Sequence, residues 1–368
     1  MQTDILIVGA GASGLHLANA LSRQGRDWCL VEARSRCGGR ILTRRSDTTG
    51  PEQWFADAGP SWLWPGQPRI AGLLQHYQLP AFEQYSQGLL IYEDEAGDIR
   101  RDLDYATMAG ALRIDGGLDR LIEALAGSLP ADRVLLSQRV RAVHAQDGGF
   151  RVDLAQDGVH REILARRVVL ALPPRVIAQT IDFEPALPQA ALDDLRGIPT
   201  WMAGHAKFFA IYARPFWRES GYSGDAISRL GPLMEIHDAS PMDARFGALF
   251  GFVGLPAGAP GRSRERMDHD AIAQLTRLFG EAASTPVDTL LQDWSDDVHT
   301  ATPADRVNQA HPRYYLPSSL AALASKGLLF ASTEVAGEHG GLIEGAFEAA
   351  EQALAWLEQH PSNASGSG

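Results

Sequence analysis

A glycine-rich turn between a short apolar strand and an amphipathic helix constrains the fold of this chain more than any other feature. Residues 5–8 (ILIV) form the apolar stretch, residues 9–14 (GAGASG) form the turn, and a helical pattern continues to about residue 23. Residues 28–32 then show a second strand pattern that ends on an acidic side chain. This order predicts a parallel sheet covered by helices, with a ligand crevice at the carboxyl ends of its strands.

The residues of this turn have the types needed to hold a dinucleotide. Gly9 allows a tight turn, Gly11 lets the backbone approach a pyrophosphate, and Gly14 lets helix and strand pack closely. From Ser13 onward, the start of the helix offers backbone N–H groups to an anion. Glu32 would accept the hydroxyls of a ribose through charge-assisted hydrogen bonds worth about 1.5 to 3 kcal/mol. Because this carboxylate would repel a ribose phosphate, the pattern disfavours NADP.

The composition describes a folded protein with more than one domain. The chain has 368 residues, of which 45% are hydrophobic and 21% charged. This is the usual globular mixture, and the length allows two domains of roughly 150 residues or more. Asp and Glu outnumber Lys and Arg by 45 to 33, for a net charge of -12. Such a charge repels phosphate backbones and anionic lipids, so we expect neither nucleic acid nor a membrane as a partner.

The cysteine content points to a reducing compartment. The chain has 2 cysteines, Cys29 and Cys37, which form neither a disulfide framework nor a four-ligand zinc site, and no metal site is predicted. The chain enters its first apolar strand without the charged leader of a signal peptide. No apolar run approaches the roughly 20 residues of a spanning helix. We therefore expect a cytoplasmic protein.

Strand patterns of the nucleotide-binding type recur far apart in the sequence. They lie at the start, at residues 168–172 and at residues 328–332, and different strand patterns at residues 207–212 and 248–253 lie between them. We expect a discontinuous nucleotide-binding α/β domain and an inserted α+β substrate domain, with a flexible tail at residues 361–368. The predicted segments are 1–66, 115–184 and 288–360 for the first domain, and 67–114 and 185–287 for the second.

The residues after Glu32 add cationic groups to the predicted crevice. Arg34 and Arg40 bring guanidinium groups that suit phosphate, and Gly39 lets the backbone approach a ligand closely. A single arginine would be read as an ordinary solvated side chain. Two arginines directly after a ribose-binding acid indicate a pyrophosphate site larger than NAD needs.

Several further motifs complete a pattern that resembles the flavin-containing amine oxidase family, which includes monoamine and polyamine oxidases and histone lysine demethylases. The resemblance implies tightly bound FAD in a Rossmann-like domain, a two-electron oxidation, and reoxidation by dioxygen with release of hydrogen peroxide. The motifs that carry it, besides residues 9–14, are residues 32–41 (EARSRCGGRI), 55–62 (FADAGPSW), 116–118 (GGL), 171–174 (ALPP), Lys207 with 215–217 (PFW), 330–334 (FASTE) and 341–346 (GLIEGA).

The resemblance also implies which residues contact the cofactor. Thr333 and Glu334 match positions beside the pyrophosphate and the ribityl chain. The complete set of implied FAD contacts is Gly9, Gly11, Ser13, Gly14, Glu32, Ala33, Arg34, Gly39, Arg40, Ala58, Gly59, Pro60, Ser61, Val140, Trp294, Thr333, Glu334, Leu342 and Ile343.

Lys207 is the candidate catalytic residue. Strand alternation places it on the face shared by Phe209 and Ile211, where a charged amino group is unfavourable. In isolation, such a residue is more often an edge-strand lysine whose amino group reaches water. The resemblance implies instead that Lys207 holds a water at the flavin, and burial there would lower the pKa of its amino group.

Two departures from the family pattern bear on the cofactor and the substrate. Residues 294–302, which begin with the matching tryptophan, contain no cysteine, so FAD is expected to be non-covalent. The family's aromatic cage for the amine has a tyrosine where this chain has Leu342, which weakens the expectation of a simple arylalkylamine. The other candidates for the substrate pocket are Trp62, Trp64, His237, Tyr314 and Tyr315, each of which has an alternative interpretation as a packing residue.

The leading hypothesis is an FAD-dependent oxidase that removes a hydride from the carbon next to an unprotonated amine. A reductase is disfavoured, because no second strand, glycine turn and helix unit follows the first. The alternatives are a flavin-dependent dehydrogenase or desaturase acting on carbon–carbon bonds, and an FAD-binding module without turnover. The expected partners are a small amine and dioxygen. The glycine pair at residues 340–341 has two interpretations, which are compatible: the last helix directs its positive end toward the flavin, or the glycines simply start a helix that packs on the sheet.

Overall fold

The computed structural model describes residues 1–47, 53–156, 159–307 and 310–361. Apart from its first residue, the predicted tail at 361–368 lies outside these ranges. The strands are β1 (Gln2–Val8), β2 (Trp28–Val31), β3 (Thr43–Arg45), β4 (Phe55–Asp57), β5 (Ala81–Glu83), β6 (Leu89–Glu93), β7 (Ile99–Leu103), β8 (Leu112–Ile114), β9 (Val134–Leu135), β10 (Arg139–Gln146), β11 (Gly149–Gln156), β12 (Val159–Leu170), β13 (Asp182–Glu184), β14 (Ala206–Tyr212), β15 (Tyr222–Ser228), β16 (Leu233–Asp238), β17 (Gly247–Val253), β18 (Asp288–Asp293) and β19 (Leu328–Phe330). The helices are α1 (Ala12–Arg23), α2 (Pro68–His76), α3 (Asp119–Gly127), α4 (Pro174–Thr180), α5 (Gln189–Gly197), α6 (Phe216–Glu219), α7 (Arg264–Phe279), α8 (Ser318–Ala321) and α9 (Ile343–Gln359).

The first sheet has 8 strands in the order β13-β10-β11-β12-β1-β2-β9, and β19 pairs with β12 beside this path. Around β1 the strands are parallel. β1 pairs with β12 on one side and with β2 on the other, and β2 in turn pairs with β9. β12 is long enough to serve two neighbours on one side: its first half pairs antiparallel with β11 and its last residues pair parallel with β19. This arrangement confirms the predicted Rossmann-like α/β fold.

Helices cover both faces of the first sheet, which explains why residues 5–8 of β1 are all apolar. Ile5 and Ile7 point into the core formed with α1, α3 and α9. Leu6 and Val8 point into the opposite core, formed with β10, β11 and α5. A strand buried on both faces has no polar side, so the continuous apolar run is the expected pattern for a central parallel strand.

The second sheet has 7 strands in the order β18-β14-β17-β16-β15-β6-β7, and it corresponds to the predicted substrate domain. On β14, Phe208 packs with α7 on one face, while Phe209 and Ile211 pack with Phe250 on the other. The faces alternate along the strand, as the sequence pattern of residues 207–212 predicts.

The structure places one strand and two helices on the other side of a predicted domain boundary. β18 was placed with the nucleotide-binding segments by the boundary at residue 288, but it pairs antiparallel with β14 in the second sheet. Helices α2 and α5 were placed with the substrate segments, but Ile70 of α2 and Leu195 of α5 are buried in the cores of the first sheet. These differences arise because strand pairing and helix docking depend on distant residues, which local patterns do not report.

Among the residues that the structure describes, no helix is both long and apolar enough to cross a membrane.

Candidate functional site

The glycine turn, Glu32 and the ends of two further strands meet at the carboxyl edge of the parallel strands. Gly9 N donates to Val31 O over 2.8 Å, and Ala171 N donates to Val8 O over 2.9 Å. Gly38, in the loop after β2, donates its N–H to Ala10 O over 2.8 Å. The loops after β1, β2 and β12 are thus held against each other, as the crevice of an open parallel sheet requires.

The three glycines of the turn differ in the space around them. A Cβ on Gly14 would lie 1.9 Å from Gly9 O, and a Cβ on Gly9 would lie 2.8 Å from Ala171 O. At Gly11, by contrast, a Cβ would meet no atom within 4 Å. Gly9 and Gly14 are therefore required by the fold itself, whereas Gly11 borders open space in which a ligand can approach the backbone.

The amino terminus of α1 has the character of an anion site. Its N-cap is Gly11, which has no side chain to accept the first N–H groups of the helix, and its first turn contains no acidic residue. The hydroxyl of Ser13 donates to Ala331 O, which ties the helix start to the end of β19. The helix N–H groups and the positive end of the dipole favour a phosphate at this position.

Glu32 is held rigidly beside this helix. Its carboxylate is 4% exposed, and it accepts hydrogen bonds of 2.8 Å from Ala10 N and from Arg34 N. An ionised carboxylate has about four acceptor positions, so these two bonds leave capacity for ribose hydroxyls. Gln138 N donates to Glu32 O over 2.8 Å, and this brings the start of β10, with Val140, to the same edge of the sheet.

The two arginines predicted to bind phosphate are both paired with carboxylates of the chain. Arg34 donates to Asp297 Oδ1 over 2.6 Å and to Thr300 Oγ1 over 3.1 Å, so its contacts hold residues 294–302 in place instead of offering a free phosphate fork. Arg40 forms a bidentate pair with Glu334 at 2.5 and 3.2 Å. Its side chain is still 30% exposed, so Arg40 keeps donors near the crevice, whereas the predicted role of Arg34 is not supported.

Residues 332–343 close the crevice on the side of β19 and α9. Thr333 Oγ1 donates to Leu342 O over 2.7 Å, and Leu342 is the N-cap of α9. Ser332 Oγ is buried and has no hydrogen-bond partner among the described residues, so it is a polar atom available to a ligand. The first turn of α9 also contains the fully buried Glu344, whose carboxylate accepts from Ile70 N over 3.0 Å. Glu344 also forms an ion pair with Arg69 at 3.3 Å, so its carboxylate ties α2 to the start of α9.

Lys207 is buried at the point where the second sheet meets the loop after β4. Its Nζ donates to Gly59 O over 2.6 Å, to Ser61 Oγ over 2.9 Å and to Asp57 O over 3.4 Å. The side chain is 6% exposed. Burial lowers the pKa of Lys207 to about 7, with a smaller opposing effect of the Asp57 charge. A group with this pKa can hold or release a proton near neutral pH, which suits a proton-handling role.

Asp57 belongs to the site although sequence reasoning did not select it. It is buried, and Oδ1 accepts from Thr43 Oγ1 over 2.6 Å and from Leu118 N over 2.9 Å. Its Oδ2 has no hydrogen-bond partner among the described residues, and burial raises the pKa of the carboxyl. The available signal was its place inside the quoted motif at residues 55–62, since an acid between two alanines is unusual on a buried strand.

Three aromatic rings surround the amino group of Lys207. Its Nζ lies 4.6 Å from the ring centre of Phe250, 5.4 Å from that of Phe252 and 5.9 Å from that of Trp62. Such rings attract a protonated amino group and exclude water from a neutral one. Trp62, a candidate for the substrate pocket, thus lies beside Lys207, while Phe250 and Phe252 were not selected because β17 gives no local sign of the face it presents.

The other predicted pocket residues have different positions. Trp64 and Tyr315 are 39% and 63% exposed, so neither is an enclosed wall of a pocket. Tyr314 is buried, and its hydroxyl donates to Pro199 O over 2.8 Å, so it packs as a structural residue. His237 is fully buried, and its ring packs edge-to-face against Trp62. The two ring centroids lie 5.0 Å apart. Leu342 is partly buried at the start of α9.

The other residues predicted to contact FAD lie on the loops that meet at this edge of the first sheet, and their contact with the cofactor stays a prediction. Trp294 Nε1 donates to Ala58 O over 2.9 Å, which joins β18 to the loop that receives Lys207. A Cβ on Gly39 would lie 3.5 Å from Gly11 Cα, so this loop borders the open side of the turn. Ala33, Pro60 and Ile343 are partly buried along this edge.

The fold and this site define a dinucleotide-binding oxidoreductase of the Rossmann type. The open space at Gly11 and the uncapped helix start fit the adenosine diphosphate half of FAD, and the unpartnered Ser332 Oγ offers a polar contact to the chain that joins it to the flavin. A family model for flavin containing amine oxidoreductase matches residues 87–353, and a model for an NAD(P)-binding Rossmann-like domain matches residues 7–77. The chain therefore belongs to the flavin-containing amine oxidoreductase family, and it is an enzyme with FAD as its cofactor.

Individual relatives agree with this assignment. A Mycobacterium tuberculosis protein described as a flavin-containing monoamine oxidase is 26% identical, with 96% of each chain covered. Putrescine oxidase from Kocuria rosea is 23% identical over 82% of this chain and 85% of its own. Among solved structures, putrescine oxidase bound to putrescine has a TM-score of 0.78 at 21% identity, covering 98% of this chain and 100% of that chain. Cyclohexylamine oxidase from Brevibacterium oxydans has a TM-score of 0.78 at 20% identity, covering 97% and 99%.

Proposed function

We propose that this protein is an FAD-dependent oxidase that oxidises a small primary or secondary amine, with Lys207 as the residue that handles protons at the reacting centre. The observation that carries the proposal is the buried Lys207 amino group, which is held beside the dinucleotide crevice by the loop at residues 59–61. A buried lysine with its pKa near 7 is uncommon in a purely structural position.

Two groups of residues are proposed to bind different parts of FAD. Glu32, the start of α1 and Arg40 would hold the ribose and the pyrophosphate, through hydrogen bonds and the helix dipole. Thr333 and Ser332 lie at the end of β19, where their hydroxyls can contact the chain that joins the nucleotide to the flavin. Bound FAD supplies the two-electron acceptor, which takes a hydride from the substrate and returns the electrons to dioxygen.

Lys207 and the residues around it are proposed to control proton transfer. An amine must be neutral to give up a hydride from its adjacent carbon, and peroxide formation consumes protons. With its pKa near 7, Lys207 exists in both protonation states at neutral pH, and its three oxygen acceptors fix the position of Nζ. Trp62, Phe250 and Phe252 keep bulk water away from that nitrogen, so the proton is not exchanged freely with solvent.

The second sheet is proposed to bind the substrate. Its face toward the crevice carries Lys207, Phe250 and Phe252, and it includes β18, while the first sheet with α5 holds the cofactor. The similarity to proteins named monoamine oxidase, putrescine oxidase and cyclohexylamine oxidase supports an amine as the substrate class. Dioxygen is proposed as the electron acceptor, and the absence of a cysteine from residues 294–302 supports a non-covalent flavin.

The test is anaerobic titration of the purified yellow protein with a panel of amines, followed by admission of air. Loss of the oxidised flavin band with amines, and its return with one peroxide per flavin, is the expected result. Bleaching only by a cyclic alkene precursor would indicate carbon–carbon dehydrogenation instead. Absence of bleaching by any substrate would leave a binding module without turnover and would refute the proposal.

A further inference from the structure

The row of side chains that contains Lys207 also contains a carboxylate. In the second sheet, Lys207 on β14 pairs with Phe252 on β17, and Phe252 pairs with Glu235 on β16. Residues directly opposite in antiparallel strands point to the same face, so these three side chains form one row. Strands lie about 4.8 Å apart, which places the backbones of Lys207 and Glu235 about 10 Å from each other.

The side chains of this row are more exposed to solvent than those of the neighbouring row on the same face of the sheet. One row further along, Phe209, Phe250 and His237 are all nearly or fully buried. In the row of Lys207, by contrast, Phe252 is only partly buried, and the Glu235 side chain is 42% exposed. The sheet face is therefore accessible between Phe252 and Glu235, next to the buried amino group.

Glu235 is not a loose surface side chain, because a buried histidine holds it. His237 Nε2 lies 2.9 Å from Glu235 Oε1, and His237 Nδ1 lies 3.0 Å from Asp225 Oδ1. Asp225 is 1% exposed and also accepts from Thr107 Oγ1 over 2.7 Å. With both ring nitrogens facing carboxylates, the imidazolium form satisfies every contact, so the group of two acids and one histidine keeps one negative charge.

We infer that Glu235 is a specificity residue that binds a second, cationic group of the substrate, so that the preferred substrates are diamines or other amines with a distal positive charge. This inference rests on the proposed function, since it assigns the far end of the amine whose near end reacts beside Lys207. The aromatic surface of Phe252 lies between the two ends and suits a chain of methylene groups.

The position also explains how the reacting amine can lose its proton while the distal amine keeps it. Near Lys207 the surroundings are aromatic and buried, which favours neutral amines. At Glu235 a partly hydrated carboxylate, held by Asp225 through His237, favours the ammonium form. One face of the sheet therefore favours a neutral amine at one end of the substrate and a protonated amine at the other.

The experiment compares cadaverine with pentylamine, which differ by one terminal amino group. In the flavin-loaded wild-type enzyme, we expect kcat/KM for cadaverine to exceed that for pentylamine roughly ten- to a hundredfold, as a charge-assisted contact provides. Glu235→Gln is expected to remove most of this preference by lowering the cadaverine value, with pentylamine changed less than about twofold. Glu235→Leu is expected to reverse the preference, which guards against a general loss of activity being mistaken for a specific effect.

A matched control is available in the first sheet. His144 lies between Glu184 and Asp153, at 2.8 and 2.9 Å, and repeats the arrangement of an imidazole between two acids. Glu184→Gln should leave both amines unaffected. Equal rates for pentylamine and cadaverine in the wild-type enzyme, or an equal loss for both in Glu235→Gln, would overturn the inference while the proposed amine oxidation stands. Failure of every amine to bleach the flavin would instead refute the proposed function.

Discussion

The amino group of Lys207 on β14 lies 2.6 Å from the carbonyl oxygen of Gly59 in the loop after β4, although the two residues are 148 positions apart. Position 59 accepts only glycine, because a Cβ there would lie 2.0 Å from Arg40 O. The loop at residues 57–61 is thus fixed between the arginine segment and the second sheet. Its geometry sets the position of the Lys207 amino group, for which we propose the proton-handling role.

Replacing Lys207 by Met should slow turnover without preventing flavin binding. The substitution keeps the length and apolar stem of the side chain but removes the group that holds a proton, so we expect peroxide formation to fall roughly tenfold or more. Stopped-flow reduction by amine and reoxidation by dioxygen would show which half-reaction is affected. The sequence offers a matched control in its other lysine, the exposed Lys326, and Lys326→Met should behave as wild type. Unchanged rates of both half-reactions in Lys207→Met would remove Lys207 from the mechanism.

The stability of the protein should rise with pH just above neutrality because of the same residue. The folded pKa of Lys207 is about 7 against 10.5 for the free group, so between these values the unfolded chain binds one more proton than the folded one. The free energy of unfolding then increases with pH, by at most about 1.4 kcal/mol per unit for this group. Denaturant unfolding of wild type and Lys207→Met at pH 7, 8 and 9 should show the slope in wild type only. Parallel curves for the two proteins would contradict the buried, neutral lysine.

Substitutions at two glycines of the first turn should separate flavin binding from folding. Gly11→Ala adds a methyl group where no atom lies within 4 Å, so the apoprotein should unfold within about 1 kcal/mol of wild type while flavin affinity falls. Gly14→Ala would place its methyl group 1.9 Å from Gly9 O and should destabilise the fold itself, by about 2 kcal/mol or more. Urea unfolding and flavin fluorescence titration measure the two effects. Full flavin affinity in Gly11→Ala would show that the pyrophosphate lies elsewhere.

The pair of Arg40 and Glu334 should contribute to stability as a buried pair does. Glu334 is fully buried, so Glu334→Gln leaves the guanidinium without its counter-charge, and we expect a loss of about 2 to 3 kcal/mol after allowance for the 30% exposure of Arg40. The exposed pair of Arg100 and Asp102 is the comparison, and Asp102→Asn should change stability by less than about 1 kcal/mol. A double-mutant cycle with Arg40→Gln would isolate the interaction. A coupling energy near zero would show that the pair is not formed in solution.

All flavin should be released when the protein is precipitated with acid. Residues 294–302 contain no cysteine, Cys29 is buried in β2, and Cys37 lies in the loop beside Gly38. Absorbance of the supernatant and of the pellet distinguishes the two cases. Yellow colour retained in the pellet, with a mass increase of one FAD on the chain, would contradict the prediction.

Local sequence patterns were sufficient to predict the roles of residues that act through their neighbours in the sequence. The roles of Gly9 and Gly14 follow from a turn that is complete within six residues, and alternation along β14 correctly places Lys207 with Phe209. The family, the fold class and the cofactor could therefore be predicted, and the comparisons confirm them.

Relationships across long separations could not be predicted in the same way. The partner of Arg34 is Asp297, 263 positions away, and nothing near either residue indicates the pair. The sheet to which β18 belongs depends on its hydrogen bonds to β14. Similarly, the buried His237 is paired with Asp225 on the neighbouring strand β15 as well as with Glu235 on its own strand, so the sequence alone could not distinguish a pocket wall from a buried ionic group.

The long strand β12 has a consequence for biosynthesis. Its last residues, 168–170, find their second neighbour only in β19, near the end of the described chain. A nascent polypeptide that has not yet reached residue 328 therefore presents an open backbone edge beside β1, of the kind that pairs with other chains. Most of the chain must therefore emerge from the ribosome before β19 covers this edge. Fragments ending before β19 are accordingly expected to accumulate as insoluble aggregates.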